Sequence, residues 1–274
     1  MRAEARIVAE ADGRGGTRLA VLRGQSPLLL RQTGSRHAAA PPHAGGLLDT
    51  GGLLDAGGVR DTGGVTVHLV GGAAGPLRGD DLRLVIEVGQ DARLTLRSVA
   101  AQLALPGRPA PPSRMTVTAT VAAGGTLRWL PEPLIAAAGS DHVAITRVAV
   151  EAGGSLWWRD DLVCGRHAEE SGDFVADTLV RYAGSTLHRH ELAVGPRAPG
   201  WTGPAVLGTG RAVGTLLLAG PAAAAAADRG VTGTHAAIMP LAGPGVLATA
   251  VAPDIRAVRA ALDPLCRHSP APVS

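Results

Sequence analysis

The fold is decided by two neighbouring segments, Gly124–Pro133 (Gly-Gly-Thr-Leu-Arg-Trp-Leu-Pro-Glu-Pro) and Ser155–Arg166 (Ser-Leu-Trp-Trp-Arg-Asp-Asp-Leu-Val-Cys-Gly-Arg). Together they hold three of the four tryptophans in a chain that has one Tyr and one Phe. Tryptophan side chains are large and rigid, and they contribute a large share of the buried area of a core. We therefore expect these segments to lie at the centre of the molecule.

The apolar residues in these segments alternate with small or charged ones. Leu127 and Trp129 are two residues apart, and so are Leu156 and Trp158. Further upstream, Leu82–Val88 and Met115–Val121 show the same period of two. Because successive side chains of a strand point to opposite faces, this period predicts half-buried β-strands.

A weak internal repeat connects these strands. Each copy runs from Val through a short turn of Gly, Ala and acidic residues to Leu. The three copies are Val88–Leu94, Val121–Leu127 and Val150–Leu156. The copies are spaced by 33 and 29 residues. We interpret each copy as a hairpin turn. Recurrence at such spacing suits a layered β architecture or a solenoid-like stack.

Other segments extend the same fold class. The sequence predicts a strand pair over Thr17–Thr33 joined at Gly24–Pro27, and another over Phe174–Leu192 that turns at Ala183-Gly184. Asp254–Leu262 has apolar residues at helical spacing and predicts a short amphipathic helix. The predicted fold class is therefore all-β, with a β-helix-like or layered strand architecture and a few short helices, one of them C-terminal.

The chain of 274 residues is 46% hydrophobic and 18% charged, with 38 Gly and 20 Pro, which suffices for one large or two ordinary domains. Gly34–Gly64 contains tandem Gly-Gly-Leu-Leu-Asp units. Their period of six could indicate a β-helix, and their regular Asp a calcium-binding repeat. We interpret the segment instead as a Gly-rich insertion that cannot offset its ordering entropy, and expect it to be poorly ordered.

Charge and cysteine content exclude several classes of protein. All 26 basic residues are Arg, the net charge is +3, and no dense basic run occurs, so nucleic-acid binding has little support. Met1–Glu10 carries four charges and no apolar run, which disfavours a secretory signal. Two distant cysteines imply no disulfide framework. We expect a cytoplasmic protein without a membrane span.

Two histidine motifs could hold a metal. His188 and His190 would share one face of a strand, and Cys164 and His167 form a loose Cys-x-x-His. Imidazole and thiolate ligands suit zinc or nickel. The alternatives are an exposed strand for the first pair and, for the second, a buried Cys at a strand end followed by a solvated loop.

Three carboxylates have unusual sequence settings. Glu132 stands between two prolines, and Asp160 has the same parity as the apolar residues of its strand, which would turn its carboxylate inward. Asp80 ends the tripeptide Arg78-Gly79-Asp80, which we interpret as a turn with Asp80 capping backbone amides. No catalytic triad, phosphate loop, dinucleotide fingerprint or glycosidase pair is recognisable, so we expect no enzyme.

Three motifs occur in an order typical of one family. The first motif, in Gly71–Asp80, consists of Gly-Gly, Gly-Pro-Leu and Gly-Asp. The second, Trp129–Ile135, reads Trp-Leu-Pro-Glu-Pro-Leu-Ile. The third, Leu162–Arg166, reads Leu-Val-Cys-Gly-Arg. From about residue 17 to residue 262 the chain resembles the urease accessory protein D family (UreD, also called UreH), in its actinobacterial type.

The resemblance implies one domain over residues 1–274 that is a scaffold, not an enzyme. It would bind apo-urease and recruit accessory proteins F and G, of which G is a GTPase that brings nickel. The family fold is all-β and β-helix-like. Nickel would pass transiently along an internal path, with no permanently bound cofactor. When the motifs of this chain are matched to those of the family, Asp80, Glu132 and Asp160 fall on that path. Carboxylates suit such a path because they hold a divalent cation loosely. The alternative role for all three residues is capping or structural hydrogen bonding.

A second class of function stays open at this point. An all-β module that binds carbohydrate or another protein, with no metal role, would share the predicted fold class. Carbohydrate binding needs exposed aromatic platforms, and an aromatic content of 2% argues against it.

Overall fold

The computed structural model describes residues 1–33, 63–221, 223 and 235–266. Except for its last two residues, the Gly-rich segment Gly34–Gly64 lies outside the described residues. The strands are β1 (Arg2–Ala11), β2 (Thr17–Arg23), β3 (Leu28–Thr33), β4 (Val65–Gly71), β5 (Asp81–Val88), β6 (Arg93–Ser98), β7 (Gln102–Ala104), β8 (Ser113–Val121), β9 (Thr126–Leu130), β10 (Leu134–Ala136), β11 (Asp141–Val150), β12 (Ser155–Cys164), β13 (Asp173–Tyr182), β14 (Ser185–Val194), β15 (Ala212–Ala219), β16 (Ala236–Pro240) and β17 (Gly245–Ala252). Helix α1 (Ile255–Cys266) follows them.

The strands form two sheets that face each other. Sheet A has the order β14-β13-β11-β8-β5-β1-β2, and sheet B has the order β16-β17-β15-β12-β9-β6-β4-β3, with the short strands β7 and β10 beside β12. From β4 to β13 the chain passes repeatedly between the sheets, and strands one coil apart pair in parallel. The predicted all-β, solenoid-like fold class with a C-terminal helix is confirmed.

The internal repeat is the coil of this solenoid. In sheet A, Val88 pairs with Val121, and Val121 pairs with Val150. In sheet B, Leu127 pairs with Leu94 on one side and Leu156 on the other. The repeat spacings of 33 and 29 residues are therefore the lengths of two successive coils.

The interpretation of the three repeats as hairpins is wrong. Each turn joins a strand of sheet A to a strand of sheet B, so the flanking strands do not pair. The equivalent third turn residues, Asp91, Gly124 and Gly153, have φ of 57°, 70° and 83°. One left-handed residue per turn redirects the chain to the opposite sheet. A two-residue type I′ hairpin needs positive φ at both central residues.

The prediction over Phe174–Leu192 is confirmed, because Ala183 and Gly184 both have positive φ and β13 pairs with β14 antiparallel. The prediction over Thr17–Thr33 locates its strands correctly but pairs them wrongly. Strand β2 pairs with β1 in sheet A, and β3 pairs with β4 in sheet B. The link at Gly24–Pro27 passes from sheet A to sheet B, so β2 and β3 lie in different sheets and cannot pair as a hairpin.

The main core lies between the sheets. The alternating residues of the opening segments face inward as predicted, and Leu127, Trp129, Leu156 and Trp158 are all buried. The indoles of Trp129 and Trp158 stack with ring centroids 5.0 Å apart. Such stacking adds to the burial of two large side chains, so this pair anchors the centre of sheet B.

Helix α1 covers the outer face of sheet B. Val258, Leu262 and Leu265 of the helix pack in a second core cluster with Trp157 and Leu216. The carboxylate of Asp254 accepts a hydrogen bond of 3.0 Å from the Ala257 amide, which caps the first turn. The helix runs four residues past its predicted end at Leu262. In the described part of the chain no helix is long and apolar enough to span a membrane.

Candidate functional site

A cavity of about 450 Å³ lies between the two sheets, lined mostly by apolar side chains. Asp80, Glu132 and Asp160 all line it, although they come from three different coils. The three carboxylates selected from the sequence are thus brought to one internal space. The cavity is the candidate functional site.

Asp160 is half-buried on β12 and faces the cavity, as its parity predicts. Its carboxylate accepts hydrogen bonds from the indole N–H groups of Trp158, at 2.8 Å, and Trp129, at 3.4 Å. Burial raises the pKa of Asp160 to about 6, although both indole hydrogen bonds oppose the shift. At neutral pH the group is mostly ionised, and a small change in pH alters its charge.

Asp80 stands at the turn that precedes β5. Its carboxylate accepts a hydrogen bond of 2.9 Å from the Leu77 amide and pairs with the N-terminal ammonium of Met1 at 2.7 Å. The interpretation of Arg78-Gly79-Asp80 as a turn capped by Asp80 is confirmed. Asp80 therefore has a structural role in addition to its place in the cavity wall.

Glu132 lies in the link between β9 and β10. Its amide donates a hydrogen bond of 2.8 Å to Ser98 Oγ, and its carboxylate pairs with Arg259 of α1 at 2.7 Å. The cavity wall is thereby connected to the helix on the outside of sheet B.

His142 was not singled out by any sequence pattern, yet it is the fully buried imidazole of the cavity wall. Ser113 Oγ donates its proton to the Asp141 carbonyl at 3.1 Å and lies 2.9 Å from His142 Nδ1. Nδ1 therefore carries the proton and donates to Ser113. Nε2 keeps its lone pair and has no hydrogen-bond partner among the described residues.

Burial lowers the pKa of His142 to about 4, so the ring is neutral at neutral pH. A neutral imidazole with an unshared Nε2 is the form that binds metal ions. The only sequence signal for it was the alternation of β11, in which His142 has the inward parity of Val148 and Val150.

Opposite Asp160, on the outer face of β12, lies a second group of charges. Arg159 Nε bonds both oxygens of Asp161, at 3.0 and 3.1 Å, and Arg159 Nη1 bonds Asp263 of α1 at 2.6 Å. Both Arg159 and Asp161 are buried. Gly214 makes room for them: a Cβ there would lie 2.6 Å from Asp161 Oδ1 and 2.4 Å from Val258 Cγ1.

The two histidine motifs have different outcomes. Cys164 is buried at the end of β12, and His167 is exposed in the loop that follows, as the alternative to a metal site predicts. Burial raises the pKa of the Cys164 thiol to about 11, which disfavours the thiolate. His188 and His190 lie on one face of β14 with ring centroids 5.9 Å apart. Among the described residues, no group of three or more metal-ligating side chains is present.

The cavity reaches the surface in two places. One group of exposed lining residues consists of Met1, Gly71, Ala73, Ala74, Val99, Ala100 and Ala101, and the other is His190. Strands β1 and β14 are five strand spacings apart in sheet A, which is about 24 Å at about 4.8 Å per spacing. The two openings are therefore at distant points of the molecule.

Comparison with known proteins identifies the family of the chain. The sequence model of the family described as UreD urease accessory protein matches residues 1–271. The chain belongs to the UreD family. A UreD protein of Frankia alni is 43% identical over 281 residues, covering 97% of this chain and 92% of the relative.

Two Streptomyces relatives support the same assignment. Urease accessory protein UreD 3 of Streptomyces griseus is 44% identical, covering 98% of this chain and 96% of its own. UreD of Streptomyces avermitilis is 42% identical, covering 96% of this chain and 95% of its own. The resemblance to actinobacterial UreD drawn from the sequence motifs is confirmed, and UreD membership connects the chain with urease maturation.

Proposed function

We propose that this chain is a scaffold for urease maturation that binds apo-urease together with accessory proteins F and G, and that conducts Ni²⁺ through its inter-sheet cavity towards the urease active site. It acts in the cytoplasm, turns over no substrate and holds nickel only in transit. The observation that carries the proposal is that a member of the UreD family brings three motif carboxylates to one cavity.

The chemistry of the cavity wall supports transit of a divalent cation. Asp80, Glu132 and Asp160 supply carboxylate oxygens, and His142 supplies a neutral imidazole nitrogen. Imidazole suits nickel, whereas carboxylate binds it without the tight hold of thiolate. A transit path needs ligands of this moderate strength, because each ion must leave as readily as it enters.

The existing partners of the carboxylates favour weak binding. Glu132 is paired with Arg259, Asp80 with the N-terminal ammonium, and Asp160 with two indoles. An incoming cation must compete with these partners. The carboxylates therefore lower the free energy of the ion inside the cavity without forming a permanent site.

The exposed apolar residues at the Met1 opening support protein binding there. Val99 is 62% exposed and Met1 is 58% exposed, and Ala100 and Ala101 adjoin them. A protein partner that covers this rim would bury apolar surface and would close the cavity from bulk water at the same time. We assign this rim to the contact through which nickel passes between proteins.

A co-expression experiment tests the scaffold role. The full chain, tagged, is produced with the urease subunits and accessory proteins F and G in a host without urease, followed by affinity purification and a urease assay. We expect the partners to co-purify and urease activity to depend on the tagged chain. Equal activity without the chain, and no retained partner, would contradict the proposal. A culture lacking only accessory protein G serves as the control for assembly without nickel supply.

A further inference from the structure

The second opening of the cavity lies beside the edge strand β14. His190 pairs with Thr178 of β13, and His188 pairs with Val180, so both histidines have the inward parity of sheet A. Arg189, between them, faces the other way and pairs with Asp177. The strand therefore presents two imidazoles to the inner face of sheet A, and His190 lines the cavity.

The two imidazoles are placed close together and are not otherwise engaged. Their ring centroids are 5.9 Å apart and their planes differ by 24°. Neither ring makes a hydrogen bond or ion pair with another residue in the described part of the chain. Burial, and then the neighbouring His190, lower the pKa of His188 from its ordinary value.

Polar residues connect this strand with the interior of the cavity. Across sheet A, Thr146, Thr178 and His190 pair in one row. Across sheet B, a row of the same kind runs through Asp160, Thr215 and Thr249. Five of these six residues line the cavity: Thr146, Thr178, His190, Asp160 and Thr215. A hydrated ion at His190 would thus meet hydroxyl and carboxylate oxygens on its way to Asp160.

We propose that His188 and His190 form a two-histidine docking site for a divalent transition-metal ion at the β14 opening of the cavity. Water completes the coordination. Metal–nitrogen bonds of about 2.1 Å place two ligating nitrogens about 3–4 Å apart, which rings with centroids 5.9 Å apart reach by side-chain rotation. The identification of the ion as nickel rests on the proposed function. The existence of a metal site at these two histidines does not depend on that function.

Calorimetric titration of NiCl₂ into the purified full-length chain tests the site. We expect His188→Ala/His190→Ala to bind one equivalent fewer than the parent chain, and His190→Gln alone to weaken that equivalent roughly tenfold or more. His167→Ala, which removes an exposed histidine elsewhere, is the matched control and should bind as the parent does. Unchanged stoichiometry and affinity in the double variant would overturn the site.

The same variants separate this inference from the scaffold role. Co-purification of urease and accessory proteins with the double variant, together with the loss of one bound Ni²⁺, supports the docking site. Co-purification and unchanged Ni²⁺ binding overturn the docking site and leave the scaffold role standing. A double variant that unfolds at the same temperature as the parent chain has an intact edge strand. If the double variant unfolds at a lower temperature, the test rests on His190→Gln alone. Unchanged Ni²⁺ affinity in His190→Gln then overturns the site.

Discussion

Asp160 combines burial, two indole donors and a position in the cavity wall. Its pKa of about 6 in the folded protein lies above the ordinary value of 3.8. The protonated carboxyl is therefore the form that the fold favours. Its stabilising contribution is complete below pH 3.8 and is lost as the pH rises through 6.

Asp160→Asn should abolish this contribution to the pH dependence of stability, because the amide cannot ionise. A shift of about two pKa units corresponds to roughly 3 kcal/mol. Between pH 4 and pH 7 the free energy of unfolding of the parent should fall by about that amount relative to the variant. Urea denaturation at a series of pH values measures the difference. A difference that stays constant from pH 4 to pH 7 would show that Asp160 titrates normally.

The sequence located Asp160 and not His142, and the reason is physical. The inward orientation of Asp160 could be predicted because Leu156 and Trp158, at the same parity, identify the inward face of β12. The residues before His142 are small or polar, and among the described residues the hydrogen bond of its ring is to Ser113, 29 residues away. Burial of a polar side chain through such a distant contact leaves no local signal beyond the parity of its strand.

At the scale of elements, α1 is attached to sheet B by charge as well as by apolar packing. Arg159 bonds Asp161 beside it and Asp263 on the helix, and Arg259 of the helix reaches back to Glu132. Arg128 stacks on the Trp157 ring at 5.2 Å and also donates to the Cys266 carbonyl at the end of the helix. The helix is thus fixed at several points along its length.

Arg159→Met should strongly destabilise the protein, because it leaves the Asp161 carboxylate buried without its main partner. Breaking a buried pair in this way costs about 3–5 kcal/mol. Arg159→Met/Asp161→Asn removes the unpaired charge and should recover most of that loss. Chemical denaturation of the three proteins measures both steps. A double variant no more stable than the single one would contradict the assignment of the loss to the unpaired carboxylate.

The positions of the strands could be predicted from the sequence, but their pairing could not. Strand positions followed from alternation, since burial of one face imposes a period of two. The pairing partners of the strands could not be predicted from the sequence, because the turn at Gly124 and the turn at Gly184 have similar sequences. The first has one left-handed central residue and joins two sheets, whereas the second has two and closes a hairpin. In the solenoid, each parallel partner lies a whole coil away in the chain.

At the scale of the whole molecule, the coils bring distant residues to one space. Asp80, Glu132 and Asp160 are spread over 80 residues of sequence and line one cavity of about 450 Å³. The cavity opens at the Met1 rim and beside β14. Neither its volume nor its openings could be predicted from the sequence, because both depend on the separation of the sheets where small side chains such as Ala144 and Ala176 face inward.

The most direct test of the account is the nickel content of urease matured beside a chain with a filled cavity. Ala176→Phe places a large ring in the cavity, and Val175→Phe, one residue earlier on the opposite face of β13, is the matched control. We predict that both variants assemble with their partners. Elemental analysis should find urease depleted of nickel only with Ala176→Phe. A full nickel complement with that variant would contradict transit through the cavity.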